Sequence, residues 1–146
     1  MTLRIRQQDY EAMRCQCEQA YPAEACGILL GHHDRDERRV EQIVPCRNTH
    51  SDCSRRYSID PVELIRVQRQ ARERGREIVG FYHSHPDHPA QWSQADLEDA
   101  HWIGYSFVIT SIEQGKATET RSFFLNGTGE ESKGFAAEIV AVEGQN

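Results

Sequence analysis

The sequence predicts an α/β (α+β) fold, a single domain over residues 1–146 in which helices cover a β-sheet. Segments with helical spacing of apolar residues alternate with short apolar runs of strand length. The 146 residues, of which 38% are hydrophobic, suffice for one buried core. No repeat, flexible linker or low-complexity segment divides the chain. The structure of the tail after about residue 126 is left open.

The first element is an amphipathic helix. Tyr10, Met13, Cys17 and Ala20 recur at spacings of three and four, which is typical of one buried helical face. The helix is expected to end before Pro22. Cys17 is therefore predicted to belong to the core.

A hairpin should follow this helix. Ala25–Gly31 is a short apolar run of buried-strand length, and Arg39–Val44 can pair with it. The mixed charges of Arg35–Arg39 indicate a solvated turn between the two strands. Pro45–Arg56 is polar and irregular, so a loop is expected there.

The second helix carries clear boundary signals. Asp60 is a suitable N-cap, Pro61 fits the first turn, Glu63 stands at the capping-box position, and Gly75 ends the helix. Its apolar side is expected to consist of Val62, Leu64, Ile65 and Val67.

The second half of the chain is predicted to contain three strands and one helix. Strands are expected over 77–83, 105–112 and 118–125, with a third helix beginning near Ser93. Gln114 and Gly115 form the turn between the last two strands. Residues 126–134 have loop composition, and the short segment 135–142 receives no assignment.

Charge and hydropathy exclude several classes of partner. Seventeen basic and twenty-three acidic side chains give a formal net charge of −6, which argues against nucleic-acid binding. No apolar run approaches the roughly 20 residues that span a membrane. The first residues lack the apolar segment of a signal peptide, so a cytoplasmic location is expected. The oligomeric state is not predicted.

The cysteines do not indicate a metal or redox motif. Cys15, Cys17, Cys26, Cys46 and Cys53 include no Cys-x-x-Cys pair, and reduced thiols are expected in the cytosol. Cys15 and Cys17 are two apart on a helix and do not share a face. The roles of Cys46 and Cys53 stay open.

The segment from His83 to Asp96 carries the chemistry. His83 and His85 are two residues apart near the end of a strand, so both imidazoles point to the same side. Ser93 opens the third helix, and Asp96 lies one turn further on. Two imidazoles and a carboxylate suit Zn²⁺, one ion per chain, with a position left open for water.

Each part of this pattern has a simpler explanation on its own. Ser-x-x-Asp at a helix start is also a helix cap, and a His-x-His pair is also found on surface loops. His88 lies in the intervening loop, where a ligand is poorly positioned. Zinc hydrolysis also needs a general base. Spacing alone does not favour Glu24 over Glu18 or Glu63 for this role.

The residues together resemble the JAMM (MPN+) metalloprotease signature. Glu24-Ala-Cys-Gly is followed by His83-Ser-His85-Pro; seven residues separate His85 from Ser93, and two separate Ser93 from Asp96. The resemblance runs from the first helix to about Leu125. Residues 56–61 and 104–109 are similar to the compact bacterial branch of the family.

This resemblance implies a cytidine-deaminase-like α-β-α sandwich with a mixed β-sheet flanked by helices. It implies that His83, His85 and Asp96 bind Zn²⁺ and that Glu24 activates water and then protonates the leaving amine. Ser93 would donate a hydrogen bond to the oxyanion. Trp92 departs from the pattern, because many members carry proline there; no ligand is lost.

The resemblance also implies a substrate class. Family members cleave peptide or isopeptide bonds after the C-terminal Gly-Gly of ubiquitin or ubiquitin-like proteins. The chain lacks the long insertions of eukaryotic deubiquitinases, so the tail of a ubiquitin-like sulfur-carrier protein is the expected substrate. Two alternatives are a non-catalytic MPN-type interaction module and a zinc hydrolase of a small amide. The identity of the carrier and the type of bond, peptide or isopeptide, stay open.

Overall fold

The structure is a computed structural model that describes residues 1–144. It contains seven strands and three helices in this part of the chain. In chain order they are β1 (Thr2–Arg6), α1 (Gln7–Ala20), β2 (Cys26–Asp34), β3 (Glu37–Cys46), α2 (Pro61–Glu73), β4 (Glu77–Pro86), α3 (Gln94–Asp99), β5 (Ser106–Glu113), β6 (Lys116–Asn126) and β7 (Gly134–Glu143).

The seven strands form one mixed sheet that closes on itself. Their order is β1-β3-β2-β4-β5-β6-β7, and β7 pairs in parallel with β1. The β1/β3 and β4/β5 pairs are also parallel, whereas the remaining neighbours are antiparallel. The buried strands β2, β4 and β5 lie side by side in this order. The fold prediction is confirmed: a mixed sheet is combined with helices on its two faces.

Two apolar clusters hold the helices against the sheet. Met13 and Cys17 of α1 pack with Leu29, Val79 and Val108 on one face. On the other face, the α2 residues Val67 and Ala71 pack with sheet side chains, and Leu97 of α3 joins the same cluster. The predicted core position of Cys17 is confirmed, since its side chain is fully buried.

The boundaries of α2 agree with the sequence, but of its predicted apolar side only Leu64 and Val67 pack against the core. The side chain of Asp60 accepts a hydrogen bond from the Val62 amide, as expected of an N-cap. Glu63 makes an ion pair with Arg66 instead of completing a capping box. Val62 and Ile65 were expected on the apolar side, yet they are 72% and 49% exposed. No helix among the described residues combines the length and apolar character needed to cross a membrane.

The sequence did not reveal the two strands that close the sheet. β1 has only five residues, too few for a clear periodic signal. β7 covers the segment left unassigned, and its side chains are half-buried or exposed throughout. Its pairing with both β1 and β6 explains how so weak an apolar pattern forms a strand.

The interpretation of Arg35–Arg39 as a solvated turn was wrong for part of this range. The turn covers only two residues, because β2 extends to Asp34 and β3 begins at Glu37. Arg38 is 3% exposed. Its Nε atom donates a hydrogen bond to Ser106 Oγ at 2.7 Å, and its guanidinium lies 4.3 Å from the Phe124 ring centroid. A carboxylate of β7, Glu138, lies 3.9 Å away and compensates the buried charge.

Candidate metal centre and catalytic cleft

Strand β4 presents both predicted histidine ligands on one face. It extends three residues beyond the predicted end at His83, so His83 and His85 both lie inside the strand. Both side chains are buried, and their Nε2 atoms are 3.2 Å apart. Ser84 between them faces the other way, where its hydroxyl accepts a hydrogen bond from the Ala25 amide at 2.8 Å. Strand alternation therefore produces the His-His pair and fixes it to the segment beside Glu24.

Helix α3 brings Asp96 to the two histidines. The Ser93 hydroxyl accepts from the Asp96 amide at 3.0 Å, and the Ser93 amide donates to Asp96 Oδ2 at 2.9 Å, which completes a capping box. Asp96 Oδ1 lies 3.2 Å from His83 Nε2, and Asp96 Oδ2 lies 3.0 Å from His85 Nε2. The helix cap thus orients the carboxylate toward the imidazoles.

The three side chains are able to hold a metal ion. All their candidate ligand atoms lie within 4.8 Å of one another. Donor atoms of a tetrahedral zinc site, bound at about 2.0–2.1 Å, are separated by about 3.3 Å. The two Nε2 atoms, 3.2 Å apart, are close to this value, and each has one oxygen of Asp96 at 3.0–3.2 Å. Two imidazole nitrogens and one carboxylate oxygen are three donors, which leaves the fourth tetrahedral position open.

Burial and mutual contacts shift the pKa values of all three side chains. Burial lowers the pKa of His83. Burial acts in the same direction on His85, but the hydrogen bond and the charge of Asp96 outweigh it and raise the pKa of that imidazole. For Asp96, burial would raise the pKa, yet the hydrogen bonds with His83 and His85 hold it well below its usual range. Asp96 is therefore anionic at neutral pH, as a ligand must be.

Each imidazole is held by a different contact behind it. His85 Nδ1 lies 2.9 Å from the Pro89 carbonyl, which favours the tautomer with Nε2 free to bind a metal. His83 Nδ1 is buried and has no hydrogen-bond partner among the described residues. Its ring instead stacks on Tyr57, with centroids 4.4 Å apart and planes at 22°. Sequence reasoning did not assign Tyr57 a role, although it lies within residues 56–61, the segment that resembles the compact bacterial branch of the family.

Glu24 lies two residues before the start of β2 and is 5% exposed. Its Oε1 atom is buried without a hydrogen-bond partner among the described residues. Burial is the main cause that raises the pKa of Glu24 to about 8; the charge of Asp96 adds to the rise, while those of His85 and Arg56 oppose it. A carboxyl held this way near neutral pH can take up and release a proton.

Asn48 fixes the loop between β3 and α2 around Glu24. Its side-chain amide donates to the Glu24 and Arg56 carbonyls at 3.0 and 2.9 Å, and its oxygen accepts from the Ser58 amide at 3.1 Å. The Glu24 amide also donates to the Cys53 carbonyl at 2.7 Å. Sequence reasoning missed Asn48, because a single asparagine in a polar loop carries no periodic signal.

An open cleft of about 720 Å³ joins these residues. Glu24, His85 and Ser93 all line it, so the structure places the predicted base and the predicted oxyanion donor beside the histidine pair. Ser93 Oγ accepts the helix-cap hydrogen bond and keeps its own O–H free to donate. His88 lies exposed on the rim, outside the trio. The chemical roles of all five site residues stay predictions.

Comparison with known proteins identifies the family. Residues 6–126 match the sequence model described as "Prokaryotic homologs of the JAB domain". The chain belongs to the prokaryotic JAB-domain family. The resemblance to the JAMM (MPN+) signature is thereby confirmed.

Individual relatives of this JAB-domain chain differ in how much of it they cover. It is 39% identical over 90 residues to the desampylase of Haloferax volcanii, a match that covers 62% of this chain and 63% of the relative. The chain thus spans less than two thirds of that relative's length. It is 30% identical over 119 residues to the CysO-cysteine peptidase of Mycobacterium tuberculosis, covering 82% of this chain and 80% of the relative. The solution structure of protein DSY2949 from Desulfitobacterium hafniense is similar along 98% of this chain and 94% of its own, with TM-score 0.84 and 30% identity.

Proposed function

We propose that the chain is a zinc-dependent metallopeptidase that hydrolyses the amide bond after the C-terminal Gly-Gly of a ubiquitin-like sulfur-carrier protein. One zinc ion per chain would be held by His83, His85 and Asp96. The observation that carries this proposal is that His85, one member of that trio, lines one cleft together with Glu24 and Ser93. The names of the relatives, a desampylase and a CysO-cysteine peptidase, support the same class of substrate.

Glu24 is the general base and then the general acid of the proposed reaction. When bound, zinc supplies Lewis acidity, which acidifies water and polarises the amide carbonyl. Glu24 accepts the proton of the attacking water and returns it to the leaving nitrogen as the C–N bond breaks. The products are the tail with a free Gly-Gly carboxylate and an amine. The elevated pKa of Glu24 suits a group that must both take and return a proton.

Ser93 stabilises the charge that develops on the carbonyl oxygen. Its hydroxyl oxygen already accepts the Asp96 amide, so the O–H is the group left to point into the cleft. The cap also keeps Asp96 in place, so a single serine positions the carboxylate and donates to the oxyanion. Removing such a donor typically lowers kcat by about 10²–10³-fold.

Metal analysis combined with a mass-based cleavage assay tests the proposal. Purified protein should contain about one zinc ion per chain, and His83→Ala should abolish metal binding. The zinc-loaded protein should shorten a Gly-Gly-ending carrier that bears an added cysteine or a lysine-linked peptide, and a chelator should stop the reaction. A protein that takes up no zinc would disprove the metal site. If the protein takes up zinc and hydrolyses a small amide but leaves the mass of every carrier unchanged, the substrate is a small amide and not a protein tail.

A further inference from the structure

The loop between β3 and α2 forms one wall of the cleft and carries two arginines. Arg55 and Arg56 line the cleft together with Glu24. Because Asn48 binds the carbonyls of both Glu24 and Arg56, this wall is held in a fixed position relative to the catalytic carboxyl. The backbone bond from the Glu24 amide to the Cys53 carbonyl adds a second tie.

The two arginines differ in how free they are. Arg56 contacts both carboxylate oxygens of Asp99 at 3.1 and 3.2 Å, and its charge is close enough to act on Glu24. Arg55 is exposed, and its guanidinium forms no ion pair within residues 1–144. Arg55 is therefore available to an incoming group, whereas Arg56 is committed to α3.

The chemistry of the leaving group explains what an unpaired guanidinium such as that of Arg55 could bind in this cleft. The leaving nitrogen must lie beside Glu24, which protonates it. If a single amino acid follows the scissile bond, its α-carboxylate is two bonds from that nitrogen and so lies near the Glu24 carboxylate. Like charges repel at such distances, and Asp52 adds a further acid to the same cleft. A guanidinium on this wall replaces the repulsion by a charge-assisted, two-pronged contact.

A lysine-linked substrate has no free carboxylate beside the leaving nitrogen and so does not need a cation there. The carbons next to its leaving nitrogen are apolar, and its backbone carboxyl group is amidated and remote. A free cation on this wall would therefore favour the single-residue extension over the lysine-linked substrate, although both present the same Gly-Gly side.

We propose that Arg55 binds the free α-carboxylate of a leaving amino acid, so that the enzyme prefers a carrier extended by one residue over an isopeptide conjugate. Arg56, fixed by Asp99, adds its charge to the same wall. This inference rests on the proposed function and specifies its substrate.

A matched pair of substrates tests the assignment. A Gly-Gly-ending carrier is prepared with one added cysteine, either as the free acid or as the C-terminal amide. The thiol is the same in both, so any effect of sulfur on zinc cancels. Wild-type enzyme should cleave the acid at least about tenfold faster in kcat/KM, as expected for one charge-assisted contact. Arg55→Gln should remove most of this preference while it leaves the amide rate within about twofold.

Arg47→Gln is the control for loss of charge. Arg47 lies exposed on the same loop but does not line the cleft, so its replacement should leave both rates unchanged. Equal rates for acid and amide in the wild type, or an equal loss on both substrates in Arg55→Gln, would overturn the inference and leave the proposed function standing. Failure of the zinc-loaded wild type to cleave acid, amide and isopeptide alike would overturn the proposed function and the inference with it.

Discussion

Replacing Glu24 by glutamine should stabilise the metal-free protein at alkaline pH while it abolishes hydrolysis by the zinc-loaded protein. Glutamine keeps the size of the side chain and removes its charge. The wild-type carboxyl is 5% exposed, and one of its oxygens has no partner among the described residues. A charge in such a place opposes folding unless a metal or substrate compensates it.

The size and sign of the effect follow from the pKa of Glu24. Burial raises it from the ordinary 4.5 to about 8. Between these values the folded protein keeps a proton that the unfolded chain has lost, so the free energy of unfolding decreases as pH rises through this window. At about 1.4 kcal/mol per pH unit, the full loss above pH 8 is on the order of 5 kcal/mol. The glutamine variant escapes this loss, but its own buried amide lacks a partner, which costs about 1–3 kcal/mol of its stability.

Thermal unfolding in the presence of a chelator measures the difference. At pH 9 the variant should be more stable by about 3 kcal/mol, or roughly 6–12 °C in Tm for a chain of this size. At pH 5 the wild-type carboxyl is neutral in the folded state, so the unpaired amide of the variant decides the difference, and the variant should be less stable by about 1–2 kcal/mol. An equal Tm difference at both pH values would refute the argument, because it would show that ionisation of Glu24 is not its source.

The same variant tests the base role when zinc is present. Its metal content should equal that of the wild type, since Glu24 is not one of the three ligands. Turnover should fall by about 10²–10⁴-fold, the usual contribution of a general base. Retained cleavage would remove Glu24 from the mechanism.

Two further substitutions test the contacts around the metal centre. Tyr57→Ala should weaken zinc affinity by about 10–100-fold, because His83 loses the ring that holds it, whereas Tyr57→Phe should bind zinc normally. Competition with a chromophoric chelator measures the affinity of both variants. Equal affinities in the wild type and the two variants would show that stacking does not position His83. Ser93→Ala should lower kcat by about 10²–10³-fold with little change in KM, and should destabilise the fold by about 1 kcal/mol through loss of the cap. Steady-state kinetics measure the first effect and denaturant unfolding the second. A loss of zinc without a loss of kcat per bound metal would show that Ser93 only holds Asp96.

The clustering of His83, His85 and Asp96 was predictable from the sequence because its geometry is local. Strand alternation places His83 and His85 on one side, and a helix cap orients Asp96, so both rules act within a few residues. Glu24 lies nearly sixty residues upstream of these ligands, and only the family resemblance selected it. Its approach to the site depends on pairing between β2 and β4, which spacing does not encode.

Other features escaped prediction because they depend on contacts between distant segments. The orienting contacts of Asn48 and Tyr57 are of this kind: neither residue belongs to a periodic pattern. Arg38 is buried because Glu138, a hundred residues further along, approaches it. Val62 and Ile65 are exposed because the buried face of α2 runs through Leu64, Val67 and Ala71, at spacings of three and four, and leaves the other two on the solvent side.

Closure of the sheet also bears on how this protein avoids aggregation. A sheet edge offers a row of unpaired amide and carbonyl groups to other chains, and natural proteins cover or remove such edges. Here five residues of β1 cover two edges at once, because they pair with β3 on one side and β7 on the other. Detachment of this single short strand would expose two hydrogen-bonding edges, whereas His83 and His85 lie three strands away on β4. The strand that closes the sheet is therefore remote from the candidate metal centre.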